Sequence, residues 1–169
     1  NFIWLLGLWK TCRDNIDETC FTPELVKQYN AALKDWTRDD VIGSPFAIDD
    51  YVINPDLGTE ADVLQLKKTL NDLGMALILD FVPNHFGSTS RVLRDNPEIF
   101  LSVDKKSFEE EPHTYFSSPF HKNQFFAHGR DPFFPAWRDT VQLNYFNPFT
   151  RDYMSGVLQN ISQLCDGVR

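Results

Sequence analysis

Met75-Ala-Leu-Ile-Leu-Asp-Phe-Val-Pro-Asn-His85 changes character halfway along. Met75 to Leu79 is a continuous apolar run, the composition of a strand buried on both faces in a parallel sheet. Gly74 closes a helical pattern before it, and Pro83, which has no N–H to give a sheet ladder, ends it. Polar side chains enter only where the strand runs out: Asp80, then Asn84 and His85. In parallel α/β sheets and barrels the C-terminal strand ends face the ligand crevice. Asp, Asn and His gathered at such an end predict a functional site.

Toward the N-terminus, Ile3 to Trp9 reads as another buried strand and Lys10 to Phe21 as a polar connection. The apolar run is far shorter than the ~20 residues of a membrane span, and it lacks the basic flank of a signal peptide. Thr22-Pro23 supplies an N-cap and a proline at the first helical position, with Leu25, Tyr29, Leu33 and Trp36 as one apolar stripe. Residues 41–58 read as a loop dense in turn residues, with Phe46, Asp50 and Tyr51 as contact groups. Thr59 and Asp62 form a capping-box pair, and Val63, Leu66, Leu70 and Leu73 line the buried face of the helix that follows. Strand, helix-containing loop, helix, strand is the grammar of a parallel α/β sheet.

Toward the C-terminus that grammar breaks. Residues 86–140 are too long for an ordinary connection and contain no long periodic helix. Phe100, Phe108, Tyr115, Phe116, Phe120, Phe125, Phe126, Phe133, Phe134 and Trp137 lie scattered among polar residues. The segment reads as a small inserted subdomain that walls a cleft, with most of these rings in its core. Regularity returns with Asn147-Pro148, which opens a helix carrying Tyr153, Val157, Ile161 and Leu164 on one face. Asp166 to Arg169 then opens one more strand. The expected divisions are 1–85 for a first α/β part, 86–140 for the insertion and 141–169 for the return to the α/β part.

The 169 residues suffice for one domain, and 42% apolar and 24% charged residues are ordinary for a globular protein. The net charge of -8, with no basic cluster longer than Lys105-Lys106, argues against nucleic acid and anionic membrane as partners. Cys12, Cys20 and Cys165 make neither a disulfide framework nor a C-x-x-C zinc motif, and are expected as free thiols. Both ends look cut, since Asn1 directly precedes a strand and Arg169 lies just inside another.

In this order the motifs resemble the alpha-amylase family of glycoside hydrolases (family 13), over nearly the whole chain. Ile3-Trp-Leu-Leu-Gly resembles the family's second barrel strand, and Gly43-Ser-Pro-Phe46-Ala-Ile-Asp-Asp50-Tyr51 the loop after it. Asp80-Phe-Val-Pro-Asn84-His85 matches the D-x-x-x-N-H motif ending the third strand, and residues 86–140 sit where the family carries its domain B. Gly167-Val-Arg169 matches the start of the G-x-R-x-D motif of the fourth strand. The resemblance implies an α/β fold, a partial (β/α)8 TIM barrel from the second strand to the start of the fourth, with an irregular insertion after the third. A whole barrel takes about 250 residues.

The resemblance also implies roles, in a retaining hydrolase or transglycosidase acting on an α-glucan or α-glucoside. Arg169 would orient the nucleophile, which the motif places two residues further on, so the chain alone is expected to be inactive. His85 would donate to a hydroxyl of the sugar being cleaved, and Asp80 would order Arg169 and the floor of the site. Phe46 would be the stacking platform, where the family more often has Tyr, with Asp50 and Tyr51 bracing it. Asn84 matches a calcium ligand of those family members that bind calcium. However, Thr140-Val-Gln142-Leu-Asn144 puts Gln142 where the partner Asp would be, and a lost carboxylate weakens a calcium site. Two rival readings are a metal-dependent hydrolase using Asp80, His85 and one of His113, His121 or His128, and a non-catalytic amylase-like interaction or transport-accessory subunit. The first lacks any paired-histidine spacing. The second leaves three buried polar groups without a purpose.

Overall fold

In a computed structural model of the protein, residues 1–14 and 16–169 are described. The N-terminal apolar run is a strand only over Phe2–Leu5 (β1), and it resumes as Trp9–Thr11 (β2) after a turn at Gly7. Gly7 has φ +76°, and a Cβ there would stand 2.9 Å from Pro45 Cβ, so both backbone and space call for glycine. The single buried strand expected from Ile3 to Trp9 is therefore two short ones. Nor is β1 buried: it is an edge strand with one neighbour, and Phe2 is 64% and Leu6, just beyond it, 52% exposed.

Ile16–Thr19 (α1) and Pro23–Ala32 (α2) follow, the second capped by Thr22 Oγ1, which accepts from Leu25 N. The apolar stripe outlasts this helix. Leu33 is its exposed C-cap, and Trp36 turns back to meet the ring of Tyr29 edge-on at 5.3 Å. The region expected to be a loop contains the six-residue strand Ile48–Ile53 (β3), antiparallel to β2. Its Ile, Tyr and Val are strand formers, and the turn residues flank them. Glu60–Asp72 (α3) begins with the expected reciprocal bonds between Thr59 and Asp62. Val63 and Leu70 are buried, but Leu66 and Leu73 are exposed, so its apolar face is narrower than expected. Gly74, at φ +73°, then releases the chain into Ala76–Leu79 (β4).

His85–Gly87 (β5) leaves this strand end, followed by Arg91–Asp95 (α4), Ser102–Val103 (β6) and Lys105–Glu110 (α5). Tyr115–Ser117 (β7), Phe125–Ala127 (β8) and Thr140–Gln142 (β9) complete the excursion. The strands β6, β8 and β7 form a small antiparallel sheet, and β9 returns beside β5. Phe100 and Phe126 are fully buried, Phe116 packs against the core, and Phe133 and Phe134 are 86% and 64% exposed. Fewer of the aromatics are core than expected, because so thin a layer has only one inward face.

Pro148–Leu164 (α6) is capped by Asn147 and buries Met154, Val157, Ile161 and Leu164, and Gly167–Val168 (β10) follows. The central sheet is parallel, in the order β1-β4-β10, with Leu5 beside Leu79 and Gly167 beside Ile78. Leu77 and Leu79 have no exposure, and the core runs from them through Phe86 to Phe100 and Phe126. The Lys67 ammonium on α3 donates to Cys165 O at 2.8 Å beyond the end of α6, so the two helices flank β4 together. The described strands do not close a barrel, which takes eight.

Candidate active site

The C-terminal ends of β4 and β10 open on one side of the sheet. Arg169 N donates to Leu79 O and Phe81 N to Arg169 O, extending the parallel ladder past both strands. Pro83 then ends the ladder, and the chain turns into β5. A cavity of about 670 Å³ lies there, and Asp80, His85, Arg169 and Phe46 all line it. Trp137, Asp139 and Thr140, from the end of the excursion, line it as well.

Asp80 is 2% exposed and well supplied with donors. Trp4 Nε1 donates to its Oδ1 and Gly7 N to its Oδ2, each at 2.8 Å, while Trp9 Nε1 donates to its main-chain oxygen. Arg169 is exposed and lies over the Trp4 ring, 4.2 Å from the centroid. Among the described residues no ion pair joins it to Asp80. The Trp4 indole touches both groups, donating to Asp80 and lying under the Arg169 guanidinium.

His85 is buried, with its ring 5.3 Å from that of Trp137. Burial pushes its pKa down to about 4, against a smaller opposing effect of the Phe46 main chain, so the ring is neutral near pH 7. Its Nδ1 lies 3.1 Å from Asn84 Nδ2. The amide donates there, which leaves the proton on Nε2. Gly129 makes room for this ring: a Cβ there would come within 2.6 Å of Thr140 Oγ1 and 3.0 Å of His85 Cβ. Burial also raises the pKa of Asp139 above the usual carboxylate range.

Asp50, Tyr51 and Asn84 stand outside the cavity lining. Successive residues of β3 face opposite ways, so Asp50 reaches toward Arg91, 3.8 Å away, and Tyr51 turns inward. The Tyr51 hydroxyl accepts from Val82 N at 2.8 Å and lies 3.2 Å from Val82 O, clamping the backbone behind the cavity.

The surroundings of Asn84 do not fit calcium. Calcium takes six to eight oxygens, carboxylates among them. Here Gln142 Nε2 sits 2.9 Å from Asn84 O and 3.0 Å from Asn84 Oδ1, so a donor occupies the focus of the oxygens. Among the described residues, no group of three or more His, Cys, Asp or Glu side chains could hold a metal. The histidines of the metal-hydrolase reading are spent elsewhere. His121 faces the carbonyls of Leu93 and Arg94, His128 faces Thr140 O, and His113 lies 3.4 Å from Arg138. No helix of the described residues is long and apolar enough to cross a membrane.

Trp4, Trp137 and Asp139 are the participants that sequence reasoning missed. Trp137 belonged to the aromatics of the cleft-walling segment, but nothing in its spacing told which ring turns toward the strand ends. Trp4 carried no signal beyond its place in an apolar run.

A family model described as the alpha amylase catalytic domain matches residues 26–159. The chain belongs to the alpha-amylase family. An alpha-amylase of Lactobacillus plantarum has a similar structure, with TM-score 0.64 and 25% identity, covering 100% of this chain and 30% of that one. A maltogenic alpha-amylase of Thermotoga neapolitana gives TM-score 0.62 at 23% identity, again over 100% of this chain and 30% of the other. The alpha-amylase mde5 of Schizosaccharomyces pombe is 49% identical over 39 residues, 23% of this chain and 8% of that protein. The chain thus spans about a third of the length of the solved family members it matches. Their TIM-barrel fold accounts for a parallel sheet that is open here.

Proposed function

We propose that the protein is a retaining glycoside hydrolase or transglycosidase acting on α-glucosidic bonds, and that these residues form one side of its substrate site. The observation that carries this reading is the convergence of Asp80, His85, Arg169 and Phe46 on one cavity at the C-terminal ends of parallel strands. In the proposed division, residues 1–85 and 141–169 are barrel and 86–140 a domain B-like insertion.

Each role follows from chemistry. Retaining glycosidases pass through an oxocarbenium-like transition state and gain from hydrogen bonds that tighten there. His85, neutral and protonated on Nε2, can donate to a sugar hydroxyl without adding charge. Phe46 offers a flat apolar face for the ring, and Trp137 lines the same cavity. Arg169, a permanent planar cation resting on an indole, would hold a neighbouring carboxylate ionised and in place. Asp80 fixes the floor through Trp4 and Gly7. The nucleophile and the acid/base would come from residues other than these 169.

The test is product analysis by the full-length protein on maltose, starch, sucrose and trehalose, with the anomeric configuration followed by NMR. Turnover with retention supports the proposal. Inversion, no turnover of any α-glucoside, or a non-acidic residue at the second position after Arg169 overturns it.

A further inference from the structure

Asn84 and Gln142 face each other where the excursion leaves the sheet and where it returns. Gln142 ends β9, where it is paired with His85 in the β5–β9 ladder, and Asn84 directly precedes β5. Gln142 Nε2 has three oxygens around it: Asn84 O at 2.9 Å, Asn84 Oδ1 at 3.0 Å and Leu143 O at 3.5 Å. Gln142 Oε1 points the other way and accepts from Arg130 N at 3.4 Å. The orientation is determined by its neighbours. Reversing the amide would set Oε1 against carbonyl oxygens and Nε2 against an N–H.

A focus of carbonyl oxygens attracts a positive group, and these part-buried oxygens would lose a partner without one. We propose that the Gln142 amide serves as a built-in substitute for a cation at the base of the excursion, and that by holding Asn84 it positions His85. The coupling is direct. With Asn84 Oδ1 engaged by Gln142, Asn84 Nδ2 is the atom turned to His85 Nδ1, 3.1 Å away. The histidine tautomer is therefore set two side chains away, by a residue outside the cavity lining. Gln142 is a positioning residue: two neutral protons do what a divalent ion would do, and no carboxylate is required. This anchoring of the excursion is independent of which substrate the protein takes.

The experiment uses the full-length protein, calcium chloride and EGTA. Calcium stoichiometry is read by calorimetric titration, and stability by thermal melting. Asn84→Ala and Gln142→Leu should leave the stoichiometry of the wild type unchanged and lower Tm equally with calcium and with EGTA. Gln142→Glu places carboxylate oxygens among the three carbonyl oxygens and should bind one calcium more per chain than the wild type, with Tm several degrees higher in calcium than in EGTA. In ¹⁵N-histidine NMR, Gln142→Leu should convert a single His85 tautomer into a mixture, a change that loss of anchoring alone would not produce. A fall in calcium stoichiometry on Asn84→Ala or Gln142→Leu would mean that an ion already sits there, and would overturn the proposal. So would a Gln142→Glu variant that gains no site, or a His85 tautomer indifferent to residue 142.

Discussion

Trp4 and Asp80 are joined by a hydrogen bond of 2.8 Å from indole N–H to carboxylate, and the guanidinium of Arg169 rests on the face of the same indole. One aromatic residue on the edge strand thus holds both charged groups of the cavity floor without letting them meet. Arg169 is exposed to solvent beyond this contact. Trp4→Phe keeps a ring but removes the N–H. We expect it to cost about 1–2 kcal/mol of stability in the full-length protein, because Asp80 then lacks one donor while still buried. Chemical denaturation measures this. An unchanged unfolding midpoint would show that Trp4 does not hold Asp80.

The buried His85 makes stability depend on pH. Its folded pKa of about 4 lies below the ordinary 6.5, so between these values the unfolded chain binds more protons at this position. Its contribution is complete above about pH 6.5 and is lost as pH falls toward 4, by on the order of 2–3 kcal/mol. The lowered pKa of buried His128 acts in the same direction, and the raised pKa of Asp139 in the opposite one. The comparison that isolates His85 is wild type against His85→Gln, unfolded by urea at pH 7.5 and pH 4.5. The difference between the two proteins should grow in favour of the variant at the lower pH.

His85 should matter to turnover as well as to stability. On the proposed role, His85 donates to the sugar in the transition state, so in His85→Ala kcat/KM on an α-glucoside should drop by on the order of tenfold to a thousandfold. Turnover equal to the wild type would take His85 out of the site.

Phe46, just before β3, and Trp137, between β8 and β9, line the same cavity. Replacing either with Ala should raise KM for an α-glucoside about 3- to 10-fold, the effect of an aromatic contact worth roughly 0.5–1.5 kcal/mol. Phe46→Tyr and Trp137→Phe keep a ring and should stay close to the wild type. Steady-state kinetics of all four variants decide the matter, and equal losses in the Ala and aromatic variants would rule out stacking.

The 169 residues expressed alone should associate. β1 is an edge strand, Phe2 and Trp4 on it are 64% and 37% exposed, and Phe146 is 93% exposed. Such an edge, apolar and unpaired, recruits other chains. Light scattering should detect assemblies at micromolar concentration. A monomer with one sharp cooperative melt would contradict this.

Sequence by itself determined the elements whose causes are local. The apolar run Met75 to Leu79, of which Ala76–Leu79 is strand, the caps at Thr22, Thr59 and Asn147, and the C′ glycine at Gly74 each depend on a few neighbouring residues. The motif order was equally legible, and it led to the family. Tertiary structure alone decided what each polar group faces. That Asp80 takes the Trp4 and Gly7 donors across more than 70 positions is a matter of strand pairing. So are the turning of Tyr51 onto Val82 and the filling of the Asn84 oxygens by Gln142. Periodicity reports which way a side chain points relative to its own element, whereas partners are set by how separate elements pack.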